Sequence, residues 1–118
     1  MATLAKSTGK KIAELIKEAR TCESISGDYW EDANKAVEGT KDEFIRRRES
    51  NYWEIRSIDA LITLWEEYNI NLTYDDEDNE ETLKALKERK QNRERYTEFL
   101  GIQIDRVSQE ESEEEAVA

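Results

Sequence analysis

Asp75, Asp76, Glu77 and Asp78 form the densest group of potential ligands in the chain. Asp76 and Asp78 stand two apart, a spacing at which carboxylates can share a divalent cation. A calcium loop also needs a glycine at its sharp turn and a bidentate glutamate at the twelfth position, where this chain has Lys87. The acids are better suited to cap the helix that follows and to face its positive end. Histidine is absent and Cys22 is the one cysteine, which removes the usual general base, zinc ligand, CxxC knuckle and internal disulfide. Cys22 lies one turn beyond Ala19 on an apolar stripe and reads as a small core residue. No nucleophile motif or cofactor-binding glycine loop is present in the sequence, so the expectation is a non-enzymatic protein without metal or cofactor.

Other residues suit binding. Trp30, Trp53 and Trp65 are many for a chain with 40% charged residues, and each has an acidic neighbour. Trp65 falls on the apolar side of its helix, whereas Trp53 points about 100° away. Trp30 and Trp53 therefore read as interface anchors, with a second packing face as the alternative for Trp53. Tyr29-Trp30-Glu31 and Tyr52-Trp53-Glu54 look alike, but their flanks do not repeat. Asn71-Leu72-Thr73 has the form of a glycosylation acceptor and means nothing without secretion.

Charge is zoned along the chain. Its 118 residues carry a net −11, which disfavours general nucleic-acid binding. Within that sum, residues 83–100 carry +3, between −6 over 69–82 and −5 over 101–118. Lys87, Arg89, Lys90 and Arg93 make the middle of the last helix basic. That stretch is either a solvated face or a docking face for acid on another subunit or for phosphate. Arg46, Arg47 and Arg48 cover nearly 300° of a helix surface and cannot all serve one side. Glu113, Glu114 and Glu115 belong to an acidic end that reads as a disordered tail.

These side chains require mainly helical elements, since no proline interrupts the chain. Ile12, Leu15, Ile16 and Ala19 predict a helix near 10–22. A turn over Ser24–Gly27 with Asp28 as cap predicts a second near 28–38, carrying Trp30, Ala33 and Val37 inward and stopping at Gly39. Thr40-Lys41-Asp42-Glu43 has the form of a capping box and opens a long or slightly bent central helix over 40–68. A fourth helix is expected over 80–100, ended by Gly101. Ile70, Leu72 and Tyr74 alternate with polar residues, as do Ile102 and Ile104, a pattern compatible with one minor two-stranded β element. The fold class is thus mainly α: one small helical domain over 1–107 and an acidic tail over 108–118. At this length a chain buries roughly 65% of its unfolded surface, enough for one core.

Ile62-Thr63-Leu64, Leu72, the acids Asp75–Asp78, Leu83, Leu86 and the run Tyr96–Gly101 together resemble the helical head-to-tail connector proteins of tailed phages. The resemblance covers residues 62–100, with a one-residue difference in spacing before Leu72. It implies a ring-forming virion component that binds portal and neck neighbours without catalysis. The charge zones point the same way, to an assembly or adaptor protein that binds itself or neighbouring subunits. The alternative is a small acidic phage inhibitor whose carboxylates imitate nucleic-acid phosphate and block a basic cleft of a host nucleic-acid-binding protein. Either would work in the host cytoplasm or the virion. No run is long and apolar enough for a membrane span, and no membrane partner is expected.

Overall fold

A computed structural model describes the backbone of residues 2–72 and 83–117 and the side chains of 8–72 and 83–114. Three helices follow one another: α1 (Ala2–Lys35), α2 (Lys41–Tyr68) and α3 (Leu83–Val117). Ser57 meets Ala19, Ser50 meets Ser26 and Arg46 meets Asp32, so α1 and α2 run antiparallel. Glu66 pairs with Lys87 and Glu54 with Arg93, so α2 and α3 are antiparallel too. α2 packs against both neighbours, while α1 and α3 make no pairing with each other among the described residues.

A heptad repeat on each helix explains this arrangement. On α1 the seam is Ile12, Leu15, Ala19, Cys22, Ser26, Tyr29 and Ala33. It passes straight through the turn expected at Ser24–Gly27, so α1 stays unbroken and Asp28 is a mid-helix residue rather than a cap. Gly27 weakens a helix by roughly 1 kcal/mol relative to alanine, which a seam buried on both sides of it outweighs. Ala19, Cys22, Ser26 and Ala33 are buried, and their small size brings α1 close to α2. At that separation Ser57 Oγ donates to the Ala19 carbonyl at 2.7 Å and Ser50 Oγ donates to the Ser26 carbonyl at 2.8 Å. Val37, expected inward, lies beyond the helix end and is 73% exposed.

α2 is one continuous helix with two seams, one position apart. Glu43, Ser50, Ser57 and Leu64 face α1, while Asn51 and Ile58 belong to the α3 side. Its start is fixed by Thr40, whose Oγ1 accepts from Glu43 N–H at 3.3 Å and donates to the Val37 carbonyl at 2.6 Å. The Glu43 carboxylate reaches Gly39 N–H at 3.0 Å, one residue further back than a capping box usually does. Gly39 itself has φ 79°, a left-handed turn that favours glycine. At the other end Asn69 is left-handed, and Ile70 N–H returns to the Leu64 carbonyl as in a Schellman stop.

α3 overturns two expectations. Gly101 lies inside it, between buried Leu100 and Ile104, so the helix does not stop there. Ile102 and Ile104 are helical, and no strand occurs among the described residues, so the proposed β element loses its second member. The first member's Thr73 and Tyr74 lie outside the described residues. α3 continues through the acidic end to Val117. Extrapolating the α2–α3 register sets Val107 beside Lys41. Residues 108–117 therefore run past the start of α2 by about 15 Å.

Candidate interaction surface

At 100° per residue the two seams of α2 point about 100° apart, so its neighbours flank it instead of closing a triangle. The result is an open layer, 71 × 32 × 22 Å, with a concave face. Arg47, Glu54 and Leu61 run along the middle of that face, one heptad apart. Around Glu54 it deepens into a groove of about 280 Å³, lined by Glu23, Ser26 and Trp30 from α1, Ser57 from α2 and Arg89 and Arg93 from α3.

The basic stretch of α3 is engaged within the chain. Arg89 and Arg93 both reach the Glu54 carboxylate, at 3.1 and 3.2 Å. Lys87 pairs with Glu66 at 3.1 Å, and Lys90 with Asp59 at 2.7 Å. The bond to Asp59 is the main reason the Lys90 ammonium is held above the usual lysine range. The stretch is therefore neither a bare solvated face nor a free docking helix: the acid it meets belongs to α2. Asn51 adds a buried link, donating to the Arg93 carbonyl and to Thr97 Oγ1. A seam occupied by Lys90, Arg93 and Thr97 between Leu86 and Leu100 is apolar only at its ends, so polar contacts set its middle.

The three arginines divide their work as helix geometry requires. Arg46 joins Asp32 and Asp42, at 3.5 and 3.0 Å. Arg47 bonds Glu43 at 3.0 Å and Asn34 at 3.2 Å, and its guanidinium lies 4.5 Å from the Trp30 ring centroid. Arg48 is half-buried and makes no ion pair among the described residues. Glu43 is buried, and its carboxyl is held below the usual glutamate range, first by Gly39 N–H and then by Arg47 against the opposing effect of burial. Burial pushes the Cys22 thiol up, which suits a packed side chain and not a nucleophile.

Trp30 is 41% exposed on the concave side, where an anchor could act. Trp53 is half-buried: Arg56 lies 5.0 Å from its ring centroid, Tyr52 meets it edge-on, and its Nε1 is buried without a partner among the described residues. It packs on the opposite side from Trp30. Sequence reasoning missed Tyr52, Phe99 and Ile102, which are 51%, 50% and 64% exposed. Phe99 and Ile102 lie off the 86–90–93–97–100–104 seam, a signal readable from the spacing once α3 is taken through Gly101. Phe99 stacks on Tyr96 at 6.2 Å.

Glu113 and Glu114 are exposed on the projecting end of α3, and Glu115 belongs to its last turns. Asp75, Asp76, Glu77 and Asp78 lie outside the described residues. No group of three or more metal-ligating side chains occurs among the described residues. No helix there is long and apolar enough to cross a membrane. No family model, curated protein or solved structure matches the chain.

Proposed function

We propose that this chain is a non-enzymatic assembly protein that associates with copies of itself or with neighbouring subunits. The observation that carries this reading is the concave face left open between α1 and α3, with Trp30 exposed along it and Phe99 and Ile102 exposed on α3. Large aromatics beside a polar, charged rim are how protein interfaces are commonly anchored. The extended form agrees: the radius of gyration is 18.7 Å, whereas a compact chain of this length has about 13.5 Å. A helical connector of a tailed phage is the particular assembly protein that residues 62–100 resemble. Ile62-Thr63-Leu64 lies within α2, Leu83 and Leu86 lie in the first turns of α3, and Gly101 does not end a helix.

The acidic-inhibitor reading keeps one observation in its favour. With Lys87, Arg89, Lys90 and Arg93 paired to α2 and Arg106 to Glu110, the exposed Glu111, Glu113 and Glu114 form an acidic end. Such an inhibitor stays single and binds a basic protein, whereas an assembly protein gains mass on its own or with a neighbour. Replacing exposed Phe99 and Ile102 together with serine tests the reading. Association measured by light scattering should be lost while the helical circular dichroism is kept. Association unchanged by that double substitution contradicts it.

A further inference from the structure

The two outer edges of the open layer carry opposite charge. On α1, Lys10, Lys17 and Arg20 lie on the side turned away from the seam with α2. All three are exposed and make no ion pair among the described residues. On α3, Phe99, Ile102 and Glu113 stand two, two and nine residues past the seam positions Thr97, Leu100 and Ile104. That is a rotation of about 180–200°, so they also face away from α2. Glu111, Glu113 and Glu114 are exposed and make no ion pair among the described residues. Glu114 sits in the last turn of α3, where the helix dipole disfavours acid and no basic residue offsets it. Like charges at i, i+3 and i+4 weaken this projecting segment further, and its own chain brings it one cation, Arg106 on Glu110. α1 of the same chain is out of reach. Ala19 is level with Ser57 and Thr97 with Asn51, which leaves Glu113 about 30 Å along the long axis from Arg20, on the opposite edge. The chain also exposes 8,496 Å², whereas a folded monomer of 13.9 kDa exposes about 6,700 Å². A standard interface removes about 800 Å² from each partner, so the surplus corresponds to two such contacts per chain.

Building on the association reading above, we infer that the outer face of α3 in one copy docks on the basic outer face of α1 in a second copy, head to tail. Both helices run antiparallel to α2, so they lie parallel in such a contact. Setting Glu113 beside Arg20 brings Arg106 beside Ala13 and Ile102 beside Gly9. Nothing lies within 4 Å of a Cβ added at Gly9, so the isoleucine has room there. Gln103 then falls beside Lys10, and Glu114 comes about one turn from Lys17. The giving and receiving faces differ and lie on opposite edges of the layer, so two copies cannot exchange both contacts. Each chain gives α3 to one neighbour and offers α1 to another, which accounts for two contacts per chain. A contact of this kind continues past two copies.

Sedimentation velocity of the full chain at low and high salt tests this. At low salt the wild type should pass the mass of two chains as concentration rises, and about 1 M salt should lower that mass. Changing Lys10, Lys17 and Arg20 to glutamine should weaken association about tenfold or more, and so should changing Glu111, Glu113 and Glu114 to glutamine. All six side chains are exposed, and circular dichroism checks that each variant keeps its helices. Mixed one to one, the two variants should form a species of two chains that grows no further, since one supplies an intact α3 face and the other an intact α1 face. A mixture no more associated than its components overturns the inference. So does a change on either face that leaves association intact, or a wild type that stops at two chains. If the assembly still disperses with Phe99→Ser and Ile102→Ser, the association reading stands without it. A wild type that keeps the mass of one chain at every concentration overturns the inference outright. The association reading then falls as well if no neighbour's binding depends on Phe99 and Ile102.

Discussion

Glu43 shows how much one side chain can hold. It caps the turn through Gly39 N–H, pairs with Arg47 and through it fixes the guanidinium over Trp30. Its carboxyl titrates below the usual glutamate range in the folded chain, so it binds its proton less readily there than when unfolded. Its contribution is therefore present above the ordinary glutamate pKa and is lost as pH falls through the lowered one. Glu43→Gln should cost about 1–2 kcal/mol at neutral pH, because the amide can still accept from Gly39 but cannot pair with Arg47. Urea unfolding should show that cost shrinking toward pH 3; an equal cost at both pH values contradicts the assignment. The serines are a second case. Ser57→Val puts bulk where α1 and α2 nearly touch and removes the bond to the Ala19 carbonyl, and should destabilise by about 1–3 kcal/mol.

At the scale of elements, Gly101 separates two views of α3. A helix stop there would need a left-handed glycine, and alanine would be strained. In the continuous helix nothing lies within 4 Å of an added Cβ, so Gly101→Ala should stabilise by about 0.5–1 kcal/mol in thermal or urea unfolding. A loss of stability would place a break in α3. The basic stretch gives a related expectation. Changing Lys87, Arg89, Lys90 and Arg93 to glutamine should lower stability by about 1–3 kcal/mol, since exposed pairs contribute up to about 1 kcal/mol each. Stability left unchanged would mean that these pairs do not hold α3 to α2.

The long α2 was legible in the sequence because Thr40 and Glu43 mark its start and its two seams run unbroken to Tyr68. α1 and α3 were misread where a single glycine was taken as punctuation. Gly27 and Gly101 each sit in a heptad seam that continues on both sides, and tertiary packing overrides their local preference. The acidic end of α3 was hidden for a similar reason, since composition alone describes a solvated tail. Of the candidate site, Trp30 and the arginines were visible by type. That the α3 cations face Glu54, Asp59 and Glu66 was not, because pairing across helices depends on register. Ile102 was lost when the helix was ended at Gly101, whereas Phe99 lay within the expected helix and was passed over.

At the scale of the whole molecule, everything rests on α1 and α3 lying on either side of α2 without meeting. A chain folded this way is long and thin, exposes more surface than its mass requires and offers a face for assembly. If α3 instead turned to close on α1, the groove would vanish and Trp30 would be buried. Small-angle X-ray scattering on a dilution series tests this most directly. The dilute limit should give a radius of gyration near the 18.7 Å of the open layer, with a longest dimension near 71 Å. Mass should then rise above that of one chain with concentration. A dilute radius near the roughly 13.5 Å of a compact chain, with a mass of one chain throughout, would contradict the open layer and the assembly role drawn from it.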